Sequence, residues 1–141
     1  MLPFCGYNMG DYWSHWLDIG RKQGAQMPLV YYVNWFRKSD TGKFLWPGFG
    51  ENSRVLKWVF ERCNGSANAV DTPIGNLPTP ESLDLDGLNV DEDALKTLLT
   101  VDREGWLQEL PLIRDYYARF GDRMPNELTS FVDNLEKELS A

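Results

Sequence analysis

Between Asn34 and Arg54 the chain packs three Phe and two Trp into twenty-one residues and threads Gly and Pro among them. The order is Asn34-Trp35-Phe36-Arg37-Lys38, then Lys43-Phe44-Leu45-Trp46-Pro47-Gly48-Phe49-Gly50-Glu51-Asn52-Ser53-Arg54. A core strand alternates apolar and polar residues and avoids Pro and Gly. This stretch instead carries flat aromatic side chains on a backbone forced to bend. Such an arrangement suits gripping a flat ring, such as a nucleobase, between aromatic faces. The competing reading is structural, since aromatic rings fill the core of a small domain cheaply.

The rest of the chain is punctuated clearly. Met9, Tyr12, Trp13, Trp16, Leu17 and Gly20 fall on one face of an amphipathic helix, with Asn8 as its cap. Leu29-Val30-Tyr31-Tyr32-Val33 is β-branched and aromatic and reads as a buried strand. Ser39-Asp40-Thr41-Gly42 predicts a turn, with Lys43-Phe44-Leu45-Trp46 returning to close a hairpin. Gly48 and Gly50 bracket Phe49 and allow the backbone to pass close to a ligand. A helix is expected over residues 53–63, capped by Asn52 or Ser53, with Val55, Trp58, Val59 and Cys63 buried and Asn64-Gly65 as its stop. Its free N–H groups are expected to face whatever the aromatic loop holds.

Residues 64–90 read as an irregular connector rich in Gly and Pro. Asp91 and Asp102 cap two further helices. In the second, Trp106, Leu110, Ile113, Tyr117 and Phe120 form a stripe, and Pro111 is expected to kink or split it. A last helix carries Leu128, Phe131, Val132, Leu135 and Leu139.

Charge narrows the function. The formal net charge is -7, which argues against nucleic acid as a general partner. The balance is uneven: residues 1–70 hold 8 basic and 5 acidic groups, residues 71–141 hold 6 and 16. The basic excess therefore sits with the aromatic stretch, where an anionic nucleotide is welcome. No apolar run approaches membrane-spanning length, so no membrane partner is expected. Cys5 and Cys63 are too few for a disulfide framework and read as reduced thiols in a cytoplasmic protein.

No complete active site is visible. The only Gly-Lys pair, Gly42-Lys43, precedes Phe44, so there is no GxxxxGK[ST] phosphate loop. The lone His15 and two distant Cys make no transition-metal cluster. His15 reads as a structural or surface residue.

The aromatic stretch, from Val33 through Leu56, closely resembles the guanine-binding segment of GTP-dependent phosphoenolpyruvate carboxykinases. Pro3-Phe4, Gly6-Tyr7-Asn8 and His15-Trp16-Leu17 resemble the family's segment after its mobile lid. Thr72-Pro73-Ile74-Gly75 and the acidic helical tail extend the likeness across essentially the whole chain. The resemblance implies a C-terminal fragment, with residues 1–141 forming the C-terminal portion of the nucleotide-binding domain. It places a Met just before this Pro-Phe inside a longer chain, so Met1 is not expected to be a natural start.

The implied fold is α+β, mostly helical, with a β-hairpin and part of a mixed sheet. The implied parent is a carboxy-lyase of gluconeogenesis that turns oxaloacetate and GTP into phosphoenolpyruvate, carbon dioxide and GDP. It uses manganese and magnesium, whose ligands lie upstream of this chain. On the resemblance, Phe36 and Phe49 sandwich guanine, Phe44 lines the pocket from the side, and Asn52 bonds the base edge. Trp35 and Trp46 pack behind. The expected partners are a guanine nucleotide and the remainder of the parent enzyme, with self-association of the fragment. The missing phosphate loop favours, for the chain taken alone, a non-catalytic nucleotide-binding or protein-interaction module; the unbroken likeness favours the enzyme.

Overall fold

A computed structural model describes residues 2–141; Met1, and with it the question of a natural start, lies outside the described residues. The chain forms two compact units. One is built from its two ends, through Pro28 and from Asp102 onward, and the other from Leu29–Val101. The fold is α+β, with five α-helices and one two-stranded antiparallel sheet among the described residues.

In the unit built from the ends, helix α1 runs Met9–Arg21. The Asn8 side chain accepts from the Gly10 N–H at 2.8 Å, as an N-cap should, while its Nδ2 donates to the Phe120 carbonyl at 3.1 Å. Gly10 is required by contact: a Cβ there would lie 2.2 Å from the Arg123 carbonyl oxygen. Two further helices of this unit, Arg103–Ala118 and Asn126–Ser140, pack together. Leu110, 1% exposed, sits at the centre, with Met9, Phe120, Val132 and Leu139 also buried. Trp13 meets Phe120 edge to face, ring centres 4.8 Å apart. Asp102 caps the first of these helices by accepting from the Gly105 N–H. Arg103 donates to the Glu138 and Leu139 carbonyls at the end of the second, where a helix's negative end favours a cation.

Pro111 neither splits nor ends its helix, contrary to one alternative the sequence offers. Pro111 is exposed, and the helix runs through it at the loss of the one backbone bond its missing N–H would have made to the Leu107 carbonyl. Trp16, Phe131 and Cys63, read as members of buried stripes, are exposed. Cys63 is the last residue of its helix, and Phe131 lies at the margin of its helix's apolar sector.

In the unit spanning Leu29–Val101, helix α2 (Asn52–Cys63) packs through Trp58 onto Ala67 and Leu83. The Trp58 indole N–H donates to the Asn68 carbonyl at 3.1 Å. Strands β1 (Ala69–Thr72) and β2 (Gly75–Pro78) pair antiparallel, Ala69 opposite Pro78 and Thr72 opposite Gly75. Helix α3 follows (Glu92–Leu99), capped by the Asp91 carboxylate on the Asp93 N–H. In chain order the helices already described in the other unit are α4 (Arg103–Ala118) and α5 (Asn126–Ser140). No helix among the described residues is long and apolar enough to cross a membrane.

The structure departs from two strand expectations. Residues 29–33 are neither a strand nor buried: Val30 is 88% and Tyr32 92% exposed. Only Tyr31 turns inward, its ring edge-on to Trp58 at 6.0 Å. A strand needs a neighbour to take its N–H and C=O groups, and among the described residues none lies beside this segment. The hairpin across Ser39-Asp40-Thr41-Gly42 shrinks to a single bridge, Lys38 opposite Phe44. On one side an Asx turn, with Asn34 Oδ1 accepting from the Phe36 N–H, bends the chain away. On the other, Pro47 offers no N–H to continue the ladder. The true hairpin lies instead in the stretch that reads as an irregular connector.

Asp84 fastens that connector to α2. Its carboxylate accepts from Lys57 Nζ at 2.9 Å, and its carbonyl accepts from Arg54 at 2.7 Å. The hydrogen bond and charge of Lys57, helped by the Arg54 charge, hold the Asp84 carboxyl below its ordinary value. A depressed folded-state value adds stability that is complete above the unfolded carboxylate range, about pH 4, and lost as pH falls through the folded value. Asp84→Asn is therefore expected to lower stability at neutral pH slightly and to flatten the acid limb below about pH 4. Urea unfolding at a series of pH values checks this; parallel acid limbs for the two proteins would count against it.

Candidate functional site

The aromatic stretch leaves its phenylalanines in solvent. Phe36 is 74% exposed and Phe49 is 100% exposed, with Phe44 half exposed. Burying a ring of this size is worth about 1.5–3 kcal/mol, so three rings left out on one segment forgo a large stabilisation. Packing therefore does not account for them.

The structure brings two of the three together. The single bridge of residues 38 and 44 carries Phe44 back toward Phe36, and their rings meet edge to face with centres 6.3 Å apart. The Lys38 ammonium sits over the Phe44 ring, 5.0 Å from its centre, a cation–π contact. Lys38 was not singled out in the sequence. The signal lay in the hairpin register, which makes residues 38 and 44 direct cross-strand neighbours. Phe44 also lines a hollow of about 490 Å³ of mixed polarity with Lys43, Asn89, Asp91 and Asp93.

Phe49 stands apart, and no aromatic ring is paired with it among the described residues. Its backbone adopts φ 52°, the one positive φ at a non-glycine residue among those described, directly after Gly48 at φ 75°. A side chain other than Gly, Asn or Asp pays about 1–2 kcal/mol for this conformation. The turn thus holds a fully solvated ring outward at a cost in backbone energy.

A 3-10 turn, Phe49–Glu51, leads straight into α2. It changes the expected capping. The Glu51 N–H is bound to the Gly48 carbonyl at 3.1 Å, and the Asn52 N–H to the carbonyls of Gly50 and Phe49. The start of α2 consequently offers fewer free donors than expected, and neither Asn52 nor Ser53 caps it. Ser53 Oγ donates back to the Gly50 carbonyl, and Arg54 pairs with Glu51 across the turn. Asn52 Oδ1 accepts instead from the Trp46 indole N–H at 3.1 Å. Trp46 is buried and Trp35 half buried; with Val55, Leu77, Leu95 and Leu99 they line an apolar hollow.

Among the described residues no three His, Cys, Asp or Glu side chains are gathered where they could hold an ion.

The strain at Phe49 is testable without any ligand. Asn tolerates positive φ and the Phe49 ring buries nothing, so Phe49→Asn is expected to stabilise the fold by roughly 0.5–1 kcal/mol. Urea unfolding measures it; a loss of stability would show that the ring contributes to packing.

Comparison with known proteins places the segment in context. A family model described as the phosphoenolpyruvate carboxykinase C-terminal P-loop domain matches residues 1–138. The chain is similar to phosphoenolpyruvate carboxykinase [GTP] from Neocallimastix frontalis, 52% identical over all of this chain. It is 51% identical to the protein of that name from Chlamydia muridarum and 49% to that from Treponema pallidum, each over 99% of the chain. In all three the matched region is 23% of the relative's length.

Proposed function

The chain belongs to the GTP-dependent phosphoenolpyruvate carboxykinase family, and from that premise we propose that it is the guanine-recognising end of such an enzyme. The parent reaction is conversion of oxaloacetate and GTP to phosphoenolpyruvate, carbon dioxide and GDP. Phe36 and Phe49 take the two faces of the base, Phe44 flanks it, and Asn52 bonds its edge.

The observation that carries the proposal is the exposure of Phe36 and Phe49 on one bent segment, with Phe49 held out on strained backbone. Strain retained at an exposed residue points toward a function that needs that residue where it is. Stacking supplies affinity for any base, and a polar amide at the ring edge supplies the choice between bases. The Lys38 ammonium over Phe44 adds positive charge beside the rings, which favours the anionic nucleotide. Phosphoryl transfer needs positioned metal ions and a cradle for the phosphates. Those parts belong to the remainder of the parent enzyme, in the cytoplasm, and the chain by itself is a binding element.

Stacking is worth about 1–3 kcal/mol per base, so the isolated chain is expected to bind GDP weakly, with Kd about 1 mM or above. GDP is expected to bind more tightly than ADP, and Phe49→Ala to weaken both by about fivefold or more. NMR titration of the chain with each nucleotide checks this, beside a coupled assay with manganese, magnesium, GTP and oxaloacetate. Equal GDP and ADP binding that ignores Phe49→Ala would remove the base pocket, and turnover would mean that catalytic residues lie within this chain.

Residues 29–33 bear on the partner. Leu29, Val30 and Tyr32 are exposed on unpaired backbone, which is a template for pairing with another segment. The remainder of the enzyme is the proposed cover, and a second copy substitutes for it in the isolated chain. Light scattering is expected to show concentration-dependent association that Val30→Lys reduces; a monodisperse monomer at high concentration would contradict it.

A further inference from the structure

We infer that Trp46 sets the sign of base selection: it is a positioning residue that fixes the Asn52 amide so that a carbonyl, and not an amino group, is accepted at the ring edge. The inference rests on the proposed role of Asn52 at the base edge and adds to it the reason why guanine is chosen.

The two partners are unlike in what they can offer. An indole N–H only donates, whereas a carboxamide has one accepting end and one donating end. Trp46 Nε1 lies 3.1 Å from Asn52 Oδ1. Reversing the amide would set its NH₂ against the indole N–H, donor against donor, with neither satisfied. Trp46 is 6% exposed, so its N–H has little access to a water that would relieve such a clash. The indole therefore holds the oxygen end of Asn52 toward itself and turns the NH₂ end elsewhere. Among the described residues no acceptor is hydrogen-bonded to Asn52 Nδ2.

Guanine and adenine differ at the matching position of the six-membered ring. Guanine carries a carbonyl oxygen at C6, and adenine carries an amino group. An outward NH₂ donates to the first and repels the second. An Asn free to rotate would accept either base by presenting whichever end suits it. Trp46 removes that freedom without touching the nucleotide. Its own place is secured because Phe49, Gly50 and Glu51 form the turn that leads from the Trp46 segment to Asn52, and because its ring lines the apolar hollow beneath.

Trp46→Phe keeps an aromatic ring and deletes the N–H. Titrating the purified chain and this variant with GDP and with ADP, by NMR, tests the inference. The GDP-over-ADP preference is expected to fall about tenfold in the variant, with ADP binding unchanged or tighter. Loss of GDP and ADP binding in equal proportion would assign Trp46 to packing alone and overturn the inference, as would an undiminished preference. Equal binding of the two nucleotides by the unmodified chain would instead sink the base pocket itself. A second measurement needs no variant. In the unmodified chain the Trp46 indole proton is expected to exchange slowly with solvent, and GDP, but not ADP, to shift the Asn52 Nδ2 protons downfield. A freely exchanging indole proton, or Asn52 protons indifferent to GDP, would overturn the inference even if Trp46→Phe does not fold.

Discussion

The Leu29–Val101 unit hangs on the burial of one side chain. Trp58 touches Ala67 and Leu83, receives the edge of the Tyr31 ring, and donates its N–H to the Asn68 carbonyl. It thereby ties α2 to the β1–β2 hairpin, to the connector and to the one inward residue of the segment before the aromatic stretch. Burying the ring without its hydrogen bond would leave a polar group stranded at a cost of about 1–3 kcal/mol. The bond to Asn68 removes that cost and fixes the ring's rotation. Because Asn52 opens the helix that Trp58 anchors, the geometry of the candidate site inherits its rigidity from this residue. The acidic fastening at Asp84, shared between Lys57 and the Arg54 guanidinium, holds the same helix from its exposed side.

The helices were legible in the sequence because their signals are local. Asn8, Asp91 and Asp102 each accept from an N–H two or three residues on, so a short polar side chain before an apolar stripe was sufficient. The strands were not legible, because a strand is defined by its neighbour. Val30 and Tyr32 have the right side chains and no partner. Gly75-Asn76-Leu77-Pro78 has poor strand residues and pairs nonetheless, since Pro73 and Ile74 turn it back onto Ala69-Val70-Asp71-Thr72. Pro111 shows the reverse case: a strong local breaker is overridden where the helix is held by Leu110 beneath it.

The candidate site divides along the same line. The grouping of Phe36, Phe44, Phe49 and Asn52 as a proposed site came from residue order, since the motif is continuous in the chain, whereas the structure joins only Phe36 and Phe44. What the residues do with one another was not legible there. The positive φ at Phe49 depends on how Gly48 is used, the Lys38 contact on a register of one bridge, and the hold of Trp46 on Asn52 on a turn between them. Each is a matter of three-dimensional placement among residues whose types leave several placements open.

The division of the chain into a middle and two ends has a consequence in time. The unit of residues 29–101 is continuous, so every contact within it becomes available as soon as its last residue is made. The other unit must wait. Asn8 finds the Phe120 carbonyl only across 112 residues of intervening chain, and the carbonyl oxygen that lies against Gly10 belongs to Arg123. During synthesis the contacts of Trp13 with Tyr116, Tyr117 and Phe120 therefore form only after α4 has been made. Prior folding of the middle shortens the effective loop that separates the ends, which reduces the entropy of bringing them together. The order in which the chain is written thus lets the unit that carries the aromatic stretch complete its own contacts first and leaves the helical unit to follow.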